Sequence, residues 1–237
     1  MKPYPAYKPT GLKWLPEVPQ HWPLMRGKYI FEKMNRPVRE CDEIVTCFRD
    51  GQVTLRKNRR TEGFTEALKE CGYQGIRKGD LVIHVMDAFA GSIGVSDSDG
   101  KGTPVYSVCV PKIKGIDNSY YAHLVRLMAK TGYIQSLYRG IRERSSDFRF
   151  DVFGVQFLPI PPPSEQKAIV AYLDAKTAKF DRLIKLKERE IELLQEKKQA
   201  VIEDKVSQLT RLSTFARIVA KTSPYSGFLL SFHYRAP

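Results

Sequence analysis

Two arginine-rich stretches hold the residues whose types and spacing best suit chemistry: Arg56-Lys57-Asn58-Arg59-Arg60, and Arg139 to Arg149, which reads RGIRERSSDFR. A guanidinium is a planar fork that can bond phosphate or a guanine edge at two points. An amide matches adenine, and a hydroxyl or backbone N–H can position a phosphate. On this basis the candidate nucleic-acid contacts are Arg56, Lys57, Asn58, Arg59, Arg60, Arg139, Arg142, Arg144, Ser145 and Arg149. Either stretch alone could equally be a solvated loop. Candidate catalytic and metal-binding sets are weaker. Glu165-Gln166-Lys167 has the letters of a nuclease Glu-x-Lys, but the prolines before it and the helical composition after it put it at a helix start, with Ser164 as the expected N-cap. His21, His84, His123 and His233 lack metal-ligand spacing, and His84 within VIHVM reads as a core or edge histidine. No catalytic or metal-ligating set is therefore assigned.

The run DAFAGSIG, Asp87 to Gly94, resembles the glycine-rich first motif of amino-methyltransferases, where the backbone approaches S-adenosylmethionine. Such a loop needs a helix after it, and VSDSDGKG is turn-forming instead. The Asn or Asp with two prolines and an aromatic that accompanies that motif is missing. Glycines permitting a close turn are the preferred reading, and no cofactor is expected on this chain.

Around these residues lies a strongly basic chain of 237 residues with net charge +13. Residues 1–163 carry 25 Lys/Arg against 17 Asp/Glu, whereas residues 164–205 carry 10 against 9. The excess thus belongs to the globular part, which favours nucleic acid or another acidic surface as partner. Cys41, Cys47, Cys71 and Cys109 form no C-x-x-C pair, so neither a zinc site nor a disulfide framework is indicated. Cys47 and Cys109 fall in apolar runs and read as buried thiols, and a reducing cytoplasm is the expected location. No apolar window long enough to span a membrane is present, and no membrane partner is expected.

The elements that must position the arginines follow from pattern. WLPEVPQHW, with Trp14 and Trp22, predicts an extended arm laid over the domain. A short amphipathic helix is expected near 25–34. Asp50-Gly51 predicts a hairpin between 43–49 and 52–56. Strands are expected at 80–86, 92–96, 104–110 and 155–160, and a helix at 118–138 with Gly132 as its break.

Between Ser164 and Lys205 there is neither glycine nor proline, which predicts one helix of roughly 60 Å. Val170, Leu173, Phe180, Ile184, Ile191, Leu194 and Val201 recur at coiled-coil spacing, interrupted by Thr177, Lys187 and Lys198. The expected organisation is α+β: a mixed domain over 1–163, a long spacer and dimerisation helix over 164–207, and a tail over 208–237, truncated or disordered.

At FLPIPPPSEQKAIVAYLDAKTAKFDRLI the chain resembles the junction in specificity subunits of type I restriction-modification systems, carried by Leu158, Pro159, Ile160, Pro161, Pro162, Pro163, Glu165, Gln166, Ile169, Leu173 and Asp174. GLKWLPEVPQHWPLMRGKYIFE is similar to the opening of that family's target recognition domain, and GDLVIHVMDAFAGSIGVS to its central strand. The resemblance implies a non-catalytic DNA-recognition subunit, in which the domain reads one half of a bipartite double-stranded DNA site. It implies that the helices pair as an antiparallel coiled coil and dock adenine methyltransferase subunits, which bind S-adenosylmethionine, and that a restriction-translocase subunit can join. The family carries two domain-plus-helix repeats and this chain one, so a half-length form is expected, with two copies pairing as a homodimer. The alternative is an autonomous dimeric DNA-binding module or regulator.

Overall fold

A computed structural model describes residues 3–59, 71–137 and 147–222. The chain divides into two units, Met1–Leu173 and Asp174–Pro237. In chain order the first unit begins with strands β1 (Tyr7–Leu12), β2 (Leu15–Pro19) and β3 (Leu24–Arg26), a single helical turn α1 (Gly27–Ile30), and strands β4 (Phe31–Met34), β5 (Val45–Cys47) and β6 (Val53–Leu55). There follow β7 (Gln74–Ile76), β8 (Leu81–His84), β9 (Ile93–Val95), β10 (Gly100–Gly102) and β11 (Tyr106–Pro111). Helices α2 (Asn118–Lys130), α3 (Tyr133–Ser136) and α4 (Phe150–Val155) lead to β12 (Phe157–Pro159) and to α5 (Pro163–Thr222). The α+β expectation for the domain holds.

A four-stranded antiparallel sheet in the order β4-β11-β8-β9 organises the unit. Side chains alternate across a strand, so β8 sends Leu81 and Ile83 to one face and Val82 to the other. The first face packs on α2 through Tyr120, Tyr121, Leu124, Val125 and Met128. The second carries Val82, Tyr106 and Val108 against Val45, Cys47 and Val53 of the β5–β6 hairpin. At about 1.5–3 kcal/mol for each fully buried large apolar side chain, both faces contribute, the helix side with the larger buried set.

Local signals explain most of these elements. Asp117 caps α2, its Oδ1 accepting from Ser119 N–H at 2.8 Å, and Gly132, at φ 73°, separates α2 from α3 as expected. The expected helix over 25–34 shrinks to the one turn α1, because Phe31–Met34 is captured as a strand by β11. The aromatic N-terminus is more than an arm: β1 and β2 pair, and Trp14 and Trp22 are buried. The strand expected over 155–160 is confined to β12, with α4 directly before it.

The long helix starts at Pro163, with the N–H groups of Glu165 and Gln166 bonding Pro162 O at 2.9 and 3.0 Å. Ser164 is therefore not the N-cap. Proline at the first helical position costs nothing, since its missing N–H would have no helical partner there. The helix also passes residue 207 and runs to Thr222, because no glycine or proline interrupts the sequence before Pro224. Residues 223–237, the remainder of the expected tail, lie outside the described residues. Val170 packs against the domain core and Leu173 is half-buried. Phe180, Ile184, Ile191, Leu194 and Val201 are exposed, and the stripe continues through Val206, Leu209, Leu212, Phe215 and Ile218. The helix's polar side chains also pair within it, Lys187 with Glu190 at 2.6 Å and Arg189 with Glu192 at 2.7 Å.

Candidate nucleic-acid interface

The β5–β6 hairpin is held in place by a glycine at a point of close approach. A Cβ at Gly94 would collide with the carbonyl oxygen of Gly51, which sits in the turn at φ 91°. The glycine-rich run thus serves backbone packing against the hairpin. Turn geometry is completed by Gln52 N–H donating to Asp50 Oδ1 at 3.0 Å and Phe48 N–H to Gln52 O at 2.9 Å.

The first arginine-rich stretch follows β6 directly. Arg56, Lys57 and Asn58 form a 3-10 turn and Arg59 follows it. Arg56 Nε donates to Thr46 Oγ1 at 3.3 Å and Asn58 Nδ2 to Thr54 Oγ1 at 2.8 Å, so both are turned onto their own hairpin. Lys57 and Arg59 are more open. Lys57 pairs with Glu43 at 2.5 Å with its side chain 62% exposed. Arg59 donates to Asp50 Oδ2 at 2.6 Å, and its guanidinium lies 4.3 Å from the centroid of the Phe48 ring.

A depression of about 600 Å³ opens beside this turn, between the hairpin and the segment after β8. Arg49, Arg56, Arg59, His84, Asp87 and Ser92 are among its lining residues. Arg49, a residue the composition of the basic stretches did not single out, reaches across to Asp87 at 3.2 Å. The only signal for it in the sequence is its place beside the Asp50-Gly51 turn. His84 accepts from Asp87 N–H at Nδ1 (3.1 Å), and burial pushes its imidazole below the usual histidine range. That supports the core or edge reading of this residue. Burial likewise pushes the Cys47 thiol and the Tyr106 hydroxyl up to about 12, so both stay protonated at neutral pH. The buried Ser92 hydroxyl has no hydrogen-bond partner among the described residues.

Of the second arginine-rich stretch, Arg139, Arg142, Arg144 and Ser145 lie outside the described residues, as does Arg60. Arg149 immediately precedes α4, exposed and paired with Asp147 at 2.6 Å, and the bond to Asp147 holds its guanidinium pKa above the usual value. Phe148 is buried in the core and is not available to stack on a base. Two other arginines are structural. Arg77 bonds the buried Asp42 at 3.1 Å and Arg36 pairs with the buried Asp80.

A second polar centre joins the N-terminal segment to the start of α5. Glu165, in the first turn of α5, accepts from the Tyr4 hydroxyl and from Trp22 Nε1–H at Oε2, both at 2.8 Å, while His21 Nε2 lies 2.8 Å from Oε1. Gln166, 1% exposed, accepts from Asp117 N–H at 2.9 Å and donates to Pro161 O at 2.8 Å. Glu-Gln is thus a clasp linking the N-terminal hairpin, the start of α5 and the cap of α2. Among the described residues no group of three or more His, Cys, Asp or Glu could hold a metal ion, and no helix is long and apolar enough to cross a membrane.

No family model and no curated protein matches the chain. Among solved structures it is similar to a chain from a study of complex assembly and conformational transition of the type I R-M system, at 16% identity and a TM-score of 0.48 over 75% of this chain and 42% of that one. It is also similar to the HsdS subunit from Thermoanaerobacter tengcongensis, at 17% identity and a TM-score of 0.43 over 73% of this chain and 40% of that one. The chain spans less than half the length of either structure.

Proposed function

We propose that the chain is a non-catalytic DNA-recognition subunit of a type I restriction-modification complex, whose domain reads one half of a bipartite site. The observation that carries the DNA part is the exposed hairpin rim, where Arg49, Lys57 and Arg59 are presented by a domain with a large basic excess. The specificity-subunit part rests on the resemblance at WLPEVPQHW and PPPSEQ. It gains support from the clasp, in which Trp22 and His21 of one stretch bond Glu165 of the other.

The exposed stripe of α5 suits pairing with a second copy of the helix, antiparallel, with adenine methyltransferase subunits docking on the pair and supplying the S-adenosylmethionine site. A restriction-translocase subunit is a further partner of the assembled complex. Co-expression with an adenine methyltransferase subunit, followed by mapping of methylated adenines, tests this. A stable complex and a symmetric split motif are expected. A chain that dimerises and binds DNA but retains no methyltransferase subunit is instead an autonomous regulator. Leu194→Lys is expected to shift the dimer to monomer in light scattering, and an unchanged mass for both forms would remove the helix from the interface.

A further inference from the structure

Arg49, Lys57 and Arg59, the exposed cations of the hairpin rim among the described residues, are not equivalent. Arg59 is held twice, by the Asp50 carboxylate at 2.6 Å and by the Phe48 ring below its guanidinium at 4.3 Å. Its side chain is 36% exposed, against 68% for Arg49, which among the described residues pairs with Asp87 at 3.2 Å. A fork already fixed in orientation loses little rotamer freedom when it binds, so it suits directional recognition. A long side chain on one loose tether suits a phosphate, which accepts bonds from many directions.

The chemistry beside Arg59 narrows the target. Guanine presents only acceptors, O6 and N7, on its major-groove edge, and its partner cytosine presents the N4 donor. Arg59 offers donors alone, and the half-exposed Asp50 next to it offers acceptors. Both stand at the end of a two-stranded ribbon, an element that fits the major groove. An A·T pair shows an amino donor, a carbonyl and a methyl at that place, and the methyl finds no apolar partner in this pair of side chains.

We propose that Arg59 and Asp50 form a preassembled reader of one G·C base pair in the major groove, and that Arg49 and Lys57 hold the flanking phosphates without reading sequence. This rests on the DNA-binding reading given above. Arg59 stands eight residues beyond the turn in sequence, yet ring stacking and the Asp50 bond return its fork to the hairpin tip.

The test is selection of a random-sequence duplex library by the intact chain at about 50 mM salt, where phosphate contacts are strong. Wild type is expected to enrich a motif with one invariant G·C position in each half-site. Arg59→Ala should flatten that position, costing its consensus site about 10- to 100-fold while leaving the other positions intact. Arg59→Lys keeps the charge but not the fork and should do the same, which separates lost geometry from lost charge. Arg49→Ala should leave the motif unchanged, weaken all sequences alike and reduce the salt slope by about one for each bound copy. A uniform loss from Arg59→Ala with the motif intact would make Arg59 a phosphate contact and overturn the proposal. Wild type that binds no duplex at all would overturn the DNA-binding reading itself. Circular dichroism of each variant confirms that it is folded.

Discussion

The clasp at Glu165 and the rim of the β5–β6 hairpin are built from the same chemistry and put to opposite uses. In the clasp the polar groups are used up: two carboxylate oxygens take Tyr4, Trp22 and His21, and both ends of the Gln166 amide are bonded. On the rim Arg49, Lys57 and Arg59 each have one carboxylate partner among the described residues, and much of each side chain faces solvent. Satisfied groups fix the start of α5 against the N-terminal hairpin. Half-satisfied ones leave donors for a ligand. On the proposed reading, the difference separates architecture from recognition in a domain whose basic residues alone do not.

The largest expected effect removes the seat of the rim. Gly94→Val forces a side chain into Gly51 O and should lower stability by about 3 kcal/mol, read as a reduced urea midpoint. A midpoint equal to wild type would mean that the hairpin can lift away at no cost. Next comes the clasp. Glu165→Ala strands the Tyr4 hydroxyl and Trp22 N–H, and should cost about 2 kcal/mol by the same measurement, with the selected DNA motif unchanged. A changed motif would join the two regions functionally and break the comparison.

Acid should loosen the clasp. Burial pushes the Glu165 carboxyl up, but the bonds from His21, Trp22 and Tyr4 outweigh it and hold its pKa below the usual 4.5. A carboxyl depressed in the folded state contributes fully above its unfolded pKa, so this contribution is present above about pH 4.5 and fades as pH falls through the lower folded value. Urea midpoints at about pH 6 and pH 3 should therefore differ more for wild type than for Glu165→Gln. Equal differences would show that the carboxylate is not what the clasp depends on. The smallest effect belongs to the rim, where Arg59→Ala should change stability by at most about 1 kcal/mol while altering DNA selection.

Much of the frame was legible from local chemistry. Asp50-Gly51 marks a turn whatever surrounds it, and Gly132 breaks a helix without help from distant residues. Segments decided by distant partners were not legible. Residues 31–34 carry a helical pattern, but the ladder with β11 makes them a strand. Phe148 reads as part of a basic loop, yet the core takes it. Glu165 looks like a dipole-compensating first-turn acid, and its bonds to His21 and Trp22 span 144 and 143 residues. In the candidate site, the cluster containing Arg56 and Lys57 was visible from charge. The orientation of Arg59 depends on Phe48, and that of Arg49 on Asp87 across the sheet connection, so neither was visible.

The central claim is that the hairpin rim faces DNA, and the salt dependence of duplex binding by the intact chain tests it most directly. With Arg49, Lys57 and Arg59 presented to the duplex, log Kobs should fall linearly with log salt at a slope of about −2 or steeper, and the slope should be shallower by about one for each bound copy in Arg49→Ala. Failure to bind any duplex at about 50 mM salt, or a slope untouched by that substitution, would contradict it.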